Sequence, residues 1–229
     1  MNWLWSNIGL VWDLTIAHVT LSIFPIIIGF VVSLPIGWIA NRYRLSRGAL
    51  LTIGGILYAI PSLPLFVAMP ALIGTQILDP VNVVIALSLY SLALMVRTTS
   101  DALASVPGDV MQSATAVGFS TWRRFWSVEL PLAGPVLLAG LRVVSVSTVS
   151  LVSVGSLVGV SNLGTLFTQG LNQYNDAEVA TGIVAIMVVA LVFDLALVLL
   201  GRLLLPWSRL DRSTGRLKRS AALKAVTGA

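Results

Sequence analysis

The chain has 229 residues, no cysteine, 57% hydrophobic and only 10% charged residues, a mean hydropathy of +0.94 and a formal net charge of +5. An ordinary soluble domain carries about 45–50% apolar and about 25% charged residues, so this composition argues against a water-soluble globule. The missing cysteines exclude a disulfide scaffold, a thiolate zinc site and an iron–sulfur cluster. The basic residues do not form a nucleic-acid face, because they sit beside the ends of apolar runs.

Taken in chain order, five apolar runs predict membrane-spanning helices over 16–40, 49–73, 81–97, 132–157 and 179–205, each near the ~20 residues that cross a bilayer core. The fold class expected is all-α, a polytopic membrane helix bundle of about five transmembrane helices. The first run does not read as a cleaved signal, since residues 1–17 contain no Lys or Arg. His18, the one histidine, is expected at the membrane interface.

Charge placement sets the expected orientation. Arg42, Arg44 and Arg47 lie between runs one and two. Arg97, Arg123 and Arg124 lie between three and four, with Arg142 near the start of run four. The remaining seven of the 14 basic residues follow run five. If the runs alternate, all fall on one side, which predicts a cytoplasmic C-terminus and an external N-terminus. The opposite segments carry Asp13, Asp79, Asp176 and Glu178. Trp3, Trp5, Trp12 and Trp207 are placed like interfacial anchors. Residues 1–207 are read as the membrane domain and 208–229 as a basic cytoplasmic tail, disordered or lying on anionic lipid.

Span two is interrupted by Pro61, Pro64 and Pro70, and a broken helix frees carbonyls that a polar cavity must satisfy. Candidate path residues are Tyr58, Pro61 and Ser62 at this break, Tyr90 in span three, Ser147, Ser150 and Ser153 in span four, and Asp194 in span five. Tyr58, Phe66 and Tyr90 are of the type that faces a quaternary ammonium, or alternatively packs in a core. The serines either line a path or bond back to their own helix. Asp194 is either functional or paired with a polar group. Gly155 and Gly159 have the spacing of a close helix contact.

The catalytic inventory is thin. No G-x-S-x-G elbow occurs, and neither Lys218 nor Lys224 is followed by Ser or Thr, so there is no phosphate-binding loop. ATP-driven work against a gradient therefore requires an ATPase on another subunit; the alternative power source is ion coupling, for which Asp194 is the one clear candidate.

The loop between spans three and four carries the strongest signal. Pro107 and Gly108 start a short helix, Asp109 suits its first turn, and Gly118 stops it. Ser120 or Thr121 caps a second helix that places Trp122, Phe125 and Trp126 on one face with Arg123 and Arg124 turned away, and Leu130 and Pro131 end it. A short amphipathic helix of this kind suits docking into a groove of another protein.

The run QSATAVGFSTWRRFWSVELPL, 112–132, resembles the coupling signature of binding-protein-dependent ABC importer permeases, with Ala114, Gly118, Leu130 and Pro131 on the pattern. Gln112 and Ser113 stand where that family usually has Glu and Ala, so a hydrogen bond is expected there in place of an ion pair. YAIPSLPLF, LPLAGPVLLAGLR, GVSNLGTLF and VALVFDLALVLLGRLLLPW are similar to permeases for osmoprotectants such as glycine betaine, choline or carnitine. In the third stretch relatives often carry Gly-Ala-Gly-Gly-Leu-Gly.

The resemblance implies the type I importer architecture and an ATPase-coupling segment, 98–131, in which Gln112, Ser113, Ala114, Gly118, Trp122, Leu130 and Pro131 contribute. It further implies an ABC ATPase dimer, an extracytoplasmic substrate-binding protein and a second permease subunit, identical or related. No cofactor is expected on this chain; ATP and Mg belong to the partner ATPase. The chain is thus expected to be a transport subunit and not an enzyme. A methionine-type permease and a partner-independent osmolyte channel are the rival readings.

Overall fold

The computed structural model describes residues 2–207. The tail predicted over 208–229 lies outside the described residues. In chain order the elements are α1 (Asn2–Ser6), α2 (Ile8–Arg42), α3 (Arg44–Ala59), α4 (Ser62–Ile73), α5 (Pro80–Ala104), α6 (Gly108–Ala116), α7 (Thr121–Arg124), a π-helical turn (Phe125–Glu129), α8 (Leu130–Val152), a 3-10 turn (Ser153–Val158), α9 (Thr165–Asn172) and α10 (Asp176–Leu204). Every described element is helical.

Four helical stretches are long and apolar enough to cross a membrane, and α3 with α4 forms a fifth candidate bent by 102°. The five predicted runs are therefore all present as helix. Most extend past the predicted ends, because hydropathy marks the hydrocarbon stretch and not the end of backbone hydrogen bonding. The first span gains about two N-terminal turns bearing Trp12 and Asp13, both exposed, and the third continues past Arg97 to Ala104. There Asp101 pairs with Arg47 of α3 at 2.9 Å.

The hub is α5, packed against α2, α3, α4 and α8. Bilayer helices gain little from apolar burial alone, so close approach and polar stitches matter more. At Gly29 and Gly37 of α2, an added Cβ would stand 2.5 Å from the Cβ of Ser91 and of Thr99, so only hydrogen fits between these helices. Ser91 and Thr148 share a hydroxyl hydrogen bond at 3.0 Å, joining α5 to α8, and Ser33 and Thr99 share one at 3.2 Å, joining α2 to α5. Gly155 and Gly159 do not form the predicted helix contact. Gly159 takes φ +85° where the 3-10 turn ends, a capping position that favours glycine.

Three apolar clusters fill the interior. One joins Leu21, Phe66, Leu87 and Val152. A second joins Leu14, Val149, Leu166 and Val189. The third, at the basic end, joins Leu103, Phe125, Ala133 and Leu137. His18 is fully buried against α8, with Nε2 2.9 Å from the Val149 carbonyl. The loop 159–164 is pinned by Asn162, which donates to the Val160 carbonyl and accepts from the Gly164 amide.

Candidate coupling segment and solute path

The segment between α5 and α8 is built by local rules. Asp109 lies in the first turn of α6, where a carboxylate suits the helix dipole. The helix ends in a complete Schellman arrangement. Phe119 donates its N–H to the Ala114 carbonyl at 3.1 Å, and Gly118 donates to Thr115 at 3.0 Å. Gly118 has φ +92°, and a Cβ there would meet nothing within 4 Å, so its requirement is one of backbone conformation alone. No residue of α6 is buried; Gln112 and Ser113 are exposed and Ala114 is half-buried. Ser120 then caps α7, accepting from the Arg123 amide.

Two details differ from the sequence reading. The second helix does not end at Leu130 and Pro131. A π-helical turn carries it directly into α8, with Leu130 donating to the Phe125 carbonyl five residues back. The wider turn leaves room for the Pro131 ring against the carbonyl four residues before it. The predicted aromatic face is present: Trp122, Phe125 and Trp126 contact one another with ring centroids 5.1 to 6.4 Å apart, and its inner member, Phe125, 4% exposed, packs edge-on to Trp38 of α2 while Trp122 is 67% exposed.

Arg124 is not turned away. Its Nε donates to Glu129 Oε1 at 2.9 Å and its guanidinium also donates to Thr115 Oγ1 at 2.6 Å. Glu129 is 4% exposed. One arginine thus ties the end of α6 to the base of α8 across the π turn, making the exposed handle and the long helix one mechanical unit.

The path candidates form two groups. At the break between α3 and α4, Pro64 lacks the N–H that would reach the Ile60 carbonyl, and the Tyr90 hydroxyl donates to it instead. Tyr90 is buried, as is Phe66, so neither faces open space; Tyr58, edge-on to Tyr90 with centroids 5.8 Å apart, is exposed. Pro61 caps α4, with Ser62 its first residue.

The second group lies on α8 and α10. Ser150 is exposed, and Ser147 and Ser153 are half-buried. Ser153 and Ser156 donate back to the carbonyls of Ser150 and Ser153, the bonding expected of a helical serine. Asp194 accepts from Arg142 Nε and Nη2 at 2.6 and 2.7 Å. Arg142 lies within the fourth span, nearer its middle than its start, about 18 Å along α8 from Leu130. The length of the preceding apolar run was the signal that placed it inside. The buried Glu129 and its arginine gave no such signal, because the π turn that brings them together has no sequence signature.

Comparison with known proteins agrees with this architecture. The chain is 29% identical over 206 residues to the choline transport system permease protein OpuBB of Bacillus subtilis, covering 90% of this chain and 94% of that protein. It is 30% identical over 182 residues to the carnitine transport permease protein OpuCD of Listeria monocytogenes, covering 79% and 80%. It is 28% identical over 197 residues to the osmoprotectant import permease protein OsmW of Salmonella typhimurium, covering 85% and 91%. The fold resembles that of an inward-facing MetNI methionine ABC transporter, with TM-score 0.78 and 21% identity over 87% of this chain and 98% of that one. The profile of the binding-protein-dependent transport system inner membrane component matches residues 29–209. The chain is a member of that family of membrane transport components.

Proposed function

We propose that this chain is the permease subunit of an ATP-driven importer for osmoprotectants of the quaternary ammonium class, among them glycine betaine, choline and carnitine. The observation that carries the reading is the exposed α6–Gly118–α7 handle fastened to α8 through Arg124, a device with no use in a channel that opens without a partner. Gln112, Ser113, Gly118 and Trp122 meet the ATPase, while Ala114, Leu130 and Pro131 shape the handle and its junction. The basic end faces the cytoplasm, and the opposite end, with Tyr174 and Ser161, meets the binding protein. Two permease subunits, identical or related, enclose the solute path. Closure of the ATPase dimer, which carries ATP and Mg, moves the handles and opens the path outward; hydrolysis resets it.

The test is reconstitution of the permease with its ATPase and binding protein in proteoliposomes. Stimulation of ATP hydrolysis and uptake by glycine betaine, choline or carnitine, with none by methionine, is the expected result. Stimulation by methionine, or solute flux without ATP, overturns the reading.

A further inference from the structure

The Arg142–Asp194 pair takes no part in coupling. Both residues lie deep in their helices, Asp194 about 15 Å along α10 from Leu204 and Arg142 about 18 Å along α8 from Leu130. Even so, the two side chains are 41% and 29% exposed. Ionised groups facing acyl chains at this depth are costly, so the face that exposes them borders a polar space. The rest of the outward surface of α10 near this depth is apolar: Val188, Leu191, Val192 and Leu195 are all exposed, as expected for a lipid face.

The pair sits on the other side of α10, in the groove with α8. Arg142 and Ser150 lie within about 80° of each other around α8 and about 12 Å apart along it, with the exposed Val146 between them. The pair is not the only contact between these helices. Leu138 of α8 packs against Gly201, and Leu205 packs against Gly134, at distances that leave no room for a Cβ. Asp194 occupies two of the five guanidinium N–H groups, leaving three with no acceptor among the described residues.

Resting on the proposed function, we infer that Arg142 and Asp194 form a solute subsite in the wall of the path, taking zwitterionic quaternary ammonium carboxylates. The solute carboxylate accepts hydrogen bonds from the free guanidinium N–H groups. The trimethylammonium group, which has no proton to donate, rests by charge beside the Asp194 carboxylate. A bound zwitterion then adds no net charge to the membrane interior and finds an opposite charge at each end.

The test uses the full complex in proteoliposomes, with radiolabelled glycine betaine delivered by saturated binding protein. The variants are R142Q, D194N and the double variant R142Q/D194N, with assembly followed by size-exclusion chromatography. Each single variant is expected to lower uptake at least tenfold, and the double variant to assemble and remain at least tenfold below the unaltered protein. A purely structural pair behaves otherwise, since removing both charges relieves the unpaired one left by a single substitution. Recovery of the double variant to within about threefold of the unaltered protein, or unchanged uptake in both single variants, overturns the subsite. If the single variants fail to assemble, the double variant decides alone by the same limits. Failure of the unaltered complex to carry any quaternary ammonium solute sinks the proposed function itself, and the subsite with it.

Discussion

Gly118 shows how a single residue is required without touching anything. Its φ of +92° is a conformation that costs a side-chain-bearing residue about 1–2 kcal/mol, and the space around it is open. Gly118→Val therefore acts on the geometry of the handle and not on packing. Its thermal midpoint is expected to fall by no more than about 8 °C, while the solute moved per ATP hydrolysed in proteoliposomes falls at least fivefold. An unchanged ratio contradicts the role given to the turn. This residue was legible in the sequence, because a short helix followed by glycine has one economical conformation. The pairing of Arg142 was not: its position within an apolar run is visible, but its partner, 52 residues away, is seen only in the structure.

At the scale of elements, the junction between α6 and α8 matters most. Prolines 61 and 64 announced the break in span two, since a missing N–H and a fixed φ leave the backbone few choices. The π turn was illegible, because its cause is the combined demand of Pro131, the buried Phe125 and the Arg124–Glu129 pair. Arg124→Gln strands the buried Glu129 carboxylate and is expected to cost about 3 kcal/mol in stability, read by thermal denaturation in nanodiscs. Adding Glu129→Gln is expected to recover at least half of that loss. Transport per ATP stays low in the double variant, because the hydrogen bond from Arg124 to Thr115 is gone from both. Full recovery of coupling in the double variant contradicts the claim that this arginine joins handle to helix.

Across the whole molecule, the bundle leaves much of α8 and α10 uncovered while α5 is enclosed. Span number and order followed from hydropathy, and the site of coupling followed from a polar segment too regular for a linker. What the sequence withheld are contacts between distant elements: Gly29 and Gly37 against α5, His18 beneath Val149, and the charge pair in the α8–α10 groove. The central claim is that the segment around Gly118 is a handle gripped by a separate motor. The cysteine-free chain allows it to be tested directly, with Ser113→Cys carrying a photo-activated cross-linker in the complete importer and Tyr174→Cys as the control at the opposite end. The account predicts an adduct of permease with ATPase from position 113 and none from position 174; an ATPase adduct from position 174 with none from position 113 contradicts it.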